Sequence, residues 1–93
     1  MAALVIQKTD APSTVYRIRN KQTTIGRGKL VGLVLPHISV SREHARVLFD
    51  PEQQSYTLLD LGSQNGTLVN GARVDRHELK HGDKVQVGKF VLL

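Results

Sequence analysis

The sequence predicts an all-β fold, a sandwich or barrel of short strands. Its apolar runs are brief and stop at Gly, Pro, Asn or Asp, the punctuation of many strands joined by turns. Thr14 to Arg19 alternates with a period of two, and no long helical pattern occurs in the 93 residues. Strands are predicted near residues 2–7, 14–19, 22–26, 33–35, 44–49, 55–60, 67–69, 72–74, 84–87 and 89–93.

Each element has a local reason. Met1 to Ile6 is apolar and turns polar at Gln7-Lys8. It lacks a basic leading region and a long apolar centre, so it reads as a strand and not as a signal peptide. In Thr14 to Arg19, Val15, Arg17 and Arg19 fall on one face, Tyr16 and Ile18 on the other. That is the alternation of a half-buried strand. The next run ends at Ile25-Gly26, and Arg27 follows it. Asp50-Pro51-Glu52-Gln53-Gln54 is a polar loop that joins two strands as a hairpin. Asn65-Gly66 and Asn70-Gly71 are turn dipeptides, because Asn and Gly tolerate positive φ. His81-Gly82-Asp83 is another turn, and Gly88 marks the last one. The expected core is Leu4, Ile6, Tyr16, Ile18, Ile25, Val34, Val47, Phe49, Leu58, Leu68, Val85, Val87, Phe90 and Leu92. With two Tyr, two Phe and no Trp, it is mainly aliphatic and β-branched, as strands prefer.

Length and composition set outer limits. Ninety-three residues make one domain over 1–93, near the low end for independent folding, with room for a two-layer core. A hydrophobic content of 40% and a charged content of 23% are ordinary for a globular protein. The formal charge of +5, from 13 basic and 8 acidic residues, favours an anionic partner such as a phosphopeptide, a nucleic acid or an acidic surface. The absence of Cys excludes disulfide frameworks and thiolate metal sites. No apolar run approaches membrane-spanning length, so the expectation is a soluble domain without membrane contact, cytoplasmic or, in a eukaryote, nuclear.

Three polar clusters stand at strand ends instead of alternating through a strand. They are Gly26-Arg27, then Ser41-Arg42-Glu43-His44, then Gly62-Ser63-Gln64-Asn65-Gly66-Thr67. Loops at the rim of a β scaffold are where side chains meet ligands. Arg presents a planar fork of donors that suits two phosphate oxygens at once, which Lys cannot match. A phosphate monoester carries about −1.5 to −2 charge and three acceptor oxygens, a match for two cations, Arg27 and Arg42, and the hydroxyl of Ser41. Taken singly, these are surface arginines and a turn serine; gathered at one rim, they form a phosphate receptor.

In order and spacing, Gly26-Arg27, Ser41-Arg42-Glu43-His44 and Asn65-Gly66-Thr67-Leu68-Val69-Asn70-Gly71 resemble the forkhead-associated (FHA) domain, over nearly the whole chain. Leu33-Val34-Leu35, Leu59-Asp60-Leu61-Gly62-Ser63 and Leu79-Lys80-His81-Gly82-Asp83 are similar to that family as well. The resemblance implies a β-sandwich of about eleven short, mostly antiparallel strands with its ligand loops at one rim. It implies binding of phosphothreonine-containing proteins or peptides downstream of a Ser/Thr kinase, with no catalytic activity, cofactor or metal. Arg27 and Ser41 would take the phosphate with Arg42 beside them, Asn65 would bond the peptide main chain, and Gln64 would share its loop. His44 would brace the Ser41 loop through hydrogen bonds, Gly26 and Gly66 would serve as backbone devices, and Asn70 would tie the binding loop down. One stretch departs from the family pattern. Gly28-Lys29-Leu30-Val31-Gly32 is neutral to basic where acidic or Asn residues are common, and His37-Ile38 stands where an Asp-Pro-like pair is common. The resemblance therefore implies the phosphate site but not the peptide preference around it.

Other readings fare worse. His77-Glu78-Leu79-Lys80-His81 matches the H-E-x-x-H zinc signature, but that motif needs a helix to put both histidines on one face. Gly82-Asp83 would break a helix at once. A basic β-barrel that binds nucleic acid agrees with the charge, yet single-strand binders present aromatic stacking platforms, and Tyr16, Phe49, Tyr56 and Phe90 are committed to strands. A phosphate-independent contact domain of the same fold is the main alternative, since a fold can outlive its site.

Overall fold

The computed structural model describes residues 3–7 and 13–93; Ala2, at the start of the first predicted strand, lies outside the described residues. Eleven strands occur among the described residues: β1 (Ala3–Gln7), β2 (Thr14–Arg17), β3 (Gln22–Gly26), β4 (Leu33–Val34), β5 (Ala45–Asp50), β6 (Ser55–Asp60), β7 (Thr67–Val69), β8 (Ala72–Val74), β9 (Arg76–Glu78), β10 (Val85–Val87) and β11 (Phe90–Leu92). They form two sheets, in the orders β2-β1-β11-β10-β7-β8 and β4-β3-β5-β6-β9. The described residues contain no helix, hence none long and apolar enough to cross a membrane. Every ladder is antiparallel except β3–β4, which is parallel.

The inward faces of the two sheets supply the core, including Leu4, Ile6, Ile25, Val47, Leu58, Val85, Val87, Phe90 and Leu92. Each such side chain, fully buried, contributes about 1.5–3 kcal/mol. The alternation predicted for β2 holds: Val15 is 62% exposed, Tyr16 is half-buried, and Ile18 just beyond the strand is buried. Two core expectations, Val34 and Leu68, are corrected by strand pairing. Val34 points outward, and Leu33 and Leu35 are buried instead. In the parallel β3–β4 ladder Leu33 lies beside the buried Ile25, and neighbours across a ladder share a face. By the same rule Val69, opposite Val85, is buried, while Leu68, opposite the exposed Gln86, is half-buried on the outer face. Phe49 is half-buried and packs on Tyr56 with ring centroids 4.8 Å apart. Val40 and Ala45, absent from the expected core, are fully buried at either end of the Ser41 loop.

The turns follow their chemistry. Asn70 and Gly71 both have positive φ, 52° and 88°, in the two-residue connection from β7 to β8. The one strand the sequence did not mark is β9, Arg76–Glu78, which is polar throughout and pairs with β6 at the sheet edge. His77 of the zinc-like motif therefore stands on a strand, with its Nε2 3.0 Å from Asp83 Oδ2. Among the described residues no group of His, Cys, Asp and Glu is placed to hold a metal ion.

Candidate functional site

Three segments far apart in sequence meet at one rim. The end of β3 continues beyond the strand, with Arg27 N donating to Ser41 O at 2.9 Å and Gly28 N to Arg42 O at 3.1 Å. Gly26 makes this approach possible. A Cβ there would sit 2.0 Å from Arg42 O, a backbone atom that cannot step aside. Arg27 is exposed, and its Nε donates to Val40 O at 3.0 Å, which orients the guanidinium. The expectation of Arg27 as purely a ligand residue is thus incomplete, because it also holds the serine loop.

His44 is fully buried and joins all three segments. Its backbone N donates to Ile25 O at 2.8 Å, and its O accepts from Leu61 N at 3.0 Å. Ser41 N donates to His44 Nδ1 at 3.0 Å, so that nitrogen carries no hydrogen, and Nε2 donates to Gly66 O at 2.8 Å. The neutral ring is held by both nitrogens. His44 bonds the backbone of Ser41 and not its hydroxyl, so the pair is not arranged as base and nucleophile.

The third segment is fixed by Ser41 and by Asp60. Ser41 Oγ accepts from Gln64 N at 3.1 Å, which leaves the hydroxyl hydrogen to donate elsewhere. Asp60 accepts from Gly62 N and Ser63 N, from the Ser63 hydroxyl, and from Thr67 Oγ1 at 2.8 Å. Burial pushes the Asp60 carboxyl up, but the hydrogen bonds from the Ser63 and Thr67 hydroxyls and from the Ser63 and Gly62 backbone together outweigh it and hold it below the ordinary carboxylate range. Ser63 and Thr67 are buried beneath the loop, whereas Gln64 and Asn65 are exposed on top of it. Sequence reading missed Asp60, Ser63 and Thr67 as supports. The signal available was an Asp followed two residues later by Gly-Ser, an Asx turn. Asn65 is oriented by its own bond, Nδ2 to Ser39 O at 2.9 Å.

The structure thus brings together Arg27, Ser41, Arg42, Gln64 and Asn65, with Gly26, His44 and Gly66 beneath them. Asn70 does not belong to this set. Its side chain donates to Asp83 Oδ1 and accepts from Lys84 N, each at 3.0 Å. It lies at the far end of β7 from Gly66, because the three-residue strand separates them, and so it clamps the turn before β10 instead of the binding loop. A groove of about 530 Å³ opens beside Arg42 and Lys29, and a smaller one of about 340 Å³ beside Asn65 and Lys89.

A sequence model of the family described as "FHA domain" matches residues 23–88. The chain belongs to that family. The FHA match runs from β3 to the turn after β10 and so contains every residue of the candidate site. Among curated relatives, the chain is 38% identical over 99 residues to the mouse (Mus musculus) "Angiogenic factor with G patch and FHA domains 1", covering 99% of the chain and 13% of that protein. It is 36% identical over 92 residues to "Glycogen accumulation regulator GarA" of Mycobacterium tuberculosis, covering 99% of the chain and 56% of GarA. The chain therefore spans only about half of GarA and about an eighth of the mouse protein. A solved structure from a study of phosphothreonine-dependent FHA domain interactions superposes with a TM-score of 0.86 at 34% identity, covering 99% of this chain and 94% of the other. The FhaA FHA domain complexed with the intracellular domain of Rv3910 superposes with a TM-score of 0.85, also at 34% identity, covering 97% of each chain.

Proposed function

We propose that this FHA domain is a phosphothreonine-dependent module that binds a protein or peptide after a Ser/Thr kinase has acted on it, and so recruits or regulates that partner. The observation that carries this reading is the single rim at which Arg27, Ser41, Arg42 and Asn65 meet, tied by Arg27 N to Ser41 O, Gly28 N to Arg42 O, Gln64 N to Ser41 Oγ and Asn65 Nδ2 to Ser39 O. Arg27 and Arg42 supply the charge, and the Ser41 hydroxyl, whose lone pair already accepts from Gln64 N, supplies a donor. Gln64 shares the loop, and the Asn65 amide takes the peptide main chain. Its chemistry is binding without turnover, since Ser41 and His44 are not arranged for nucleophilic attack. The domain occupies residues 1–93 and works where Ser/Thr kinases work, in the cytoplasm or, in a eukaryote, the nucleus.

A library of phosphothreonine peptides, with phosphoserine and unphosphorylated controls, tests this directly. Binding confined to phosphothreonine members is the expected result. Equal binding of phosphorylated and unphosphorylated peptides would instead make the domain a phosphate-independent contact surface.

A further inference from the structure

We propose that Ser39, held by the ring of His37, is a positioning residue that sets Asn65 for the bound peptide. The inference rests on the reading above that Asn65 grips the peptide main chain. Ser39 sits at the centre of a knot between two loops. Its O accepts from Asn65 Nδ2 at 2.9 Å. Its N donates to His37 Nδ1 at 3.0 Å, and its Oγ lies 2.8 Å from the same ring nitrogen. The Oγ also accepts from Lys89 N at 3.0 Å, across 50 residues of sequence. Gly88 passes so close that a Cβ there would meet Ser39 Oγ at 2.4 Å, so the turn from β10 to β11 backs this serine directly.

His37 does here what an Asp or Asn side chain does in an Asx turn, accepting a main-chain N–H two residues on. An imidazole differs from a carboxamide in one respect: its charge changes between about pH 5 and 8. With Ser39 N–H aimed at it, Nδ1 must be unprotonated. Protonation sets two N–H groups against each other: Nδ1–H can still donate to Ser39 Oγ, 2.8 Å away, but the bond from Ser39 N, the backbone anchor of Ser39, is lost. The other groups around this ring offer no compensation. Phe90 meets it edge-on at 6.5 Å between centroids, and Lys89 Nζ lies 5.8 Å from the centre of Phe90. From the β3 side, Arg27 bonds Val40 O within the same loop. Both of these side chains are positive, and among the described residues no salt bridge joins His37 to a carboxylate. Simple attraction between a protonated His37 and a bound phosphate would make binding less sensitive to acid. The bonding geometry predicts the opposite, because the proton displaces the support of Asn65.

The test has a ligand-free arm and a ligand arm. In the free domain, NMR follows the Asn65 side-chain amide and the His37 ring from about pH 7.5 to about 5.5. A shared midpoint is expected in the wild type, and the Asn65 movement should vanish in His37→Asn, which keeps an acceptor and does not titrate. An Asn65 amide that ignores the titration of His37 overturns the inference, whether or not any peptide binds. In the ligand arm, calorimetry with a phosphothreonine peptide should show Ser39→Ala weakened about threefold to tenfold at the higher pH. Both the wild type and His37→Asn lose affinity in acid as the phosphate, with a second pKa of about 6, takes up a proton. The wild type should lose about threefold more. Parallel pH profiles, or Ser39→Ala binding like the wild type, overturn the inference. Asn65→Ala is the control for the function itself: wild-type binding by that variant removes Asn65 from the peptide site and leaves the coupling in the free domain to be judged by NMR.

Discussion

Strand β7 is pinned at both ends by an aspartate, and the two ends do different work. At its start, Asp60 gathers four donors from Gly62, Ser63 and Thr67. At its finish, Asp83 accepts from Asn70, His77 and Lys80 N. Both carboxyls sit below the ordinary range. The Asp83 shift comes chiefly from the Lys80 N–H, then from the side-chain bonds of His77 and Asn70. The partners differ. Ser63 and Thr67 are buried neutral hydroxyls under a loop whose outer face is Gln64 and Asn65, whereas Asn70 and Lys80 are exposed. The same carboxylate device thus stiffens the loop proposed to meet the peptide at one end and closes a turn at the other.

That contrast breaks or sharpens on four measurements. The largest effect is expected at His44, the joint beneath the rim. His44→Ala leaves Ser41 N and Gly66 O without partners, at about 1–3 kcal/mol each, and should lower stability to urea by about 2–4 kcal/mol together with most phosphopeptide affinity. A variant that melts like the wild type but fails to bind would make His44 a ligand residue and not a brace. Next is Arg27→Ala. Loss of a charge-assisted hydrogen bond of about 1.5–3 kcal/mol should weaken phosphopeptide binding at least tenfold by calorimetry. The lost bond to Val40 O adds about 1 kcal/mol of instability, so binding falls much more than the melting temperature.

Smaller effects separate the two aspartates. Asp60 has its folded pKa below its unfolded value of about 3.9. Its stabilisation is therefore complete above that value and is lost as pH falls through the folded pKa. Asp60→Asn should flatten the acid limb of a stability profile below about pH 4 and weaken phosphopeptide binding severalfold at neutral pH. Asp83→Asn should flatten the same limb by less, since its partners are solvated, and leave binding untouched. Equal losses of affinity in the two variants would erase the distinction between the ends of β7.

Much of the molecule was legible in one dimension. Period-two alternation, Asn-Gly and Asp-Pro turns and the order of the polar clusters place ten strands and the rim residues Arg27, Ser41, Arg42, Gln64 and Asn65, because these depend on local backbone preference and residue chemistry. What depends on pairing was not. Val34 and Leu68 were assigned inward, yet the face of a two- or three-residue strand is chosen by its neighbour across the ladder, and two or three residues carry too little pattern to choose it alone. β9 has no apolar side chain to betray it and exists because the edge of β6 offers it a ladder. The His44 brace could be anticipated, but not that its two ring nitrogens would reach Ser41 N and Gly66 O, 22 residues apart in the second case. Sequence alone ties Asn70 to the Gln64-Asn65 loop, whereas its partners are Asp83 and Lys84, and it gives Ser39 no role. For His44 with Gly66, Asn70 with Asp83 and Lys84, and Ser39 with Asn65 and Lys89, the partner lies more than a dozen residues away, where loop closure is decided by the packed sheets and no sequence period records it.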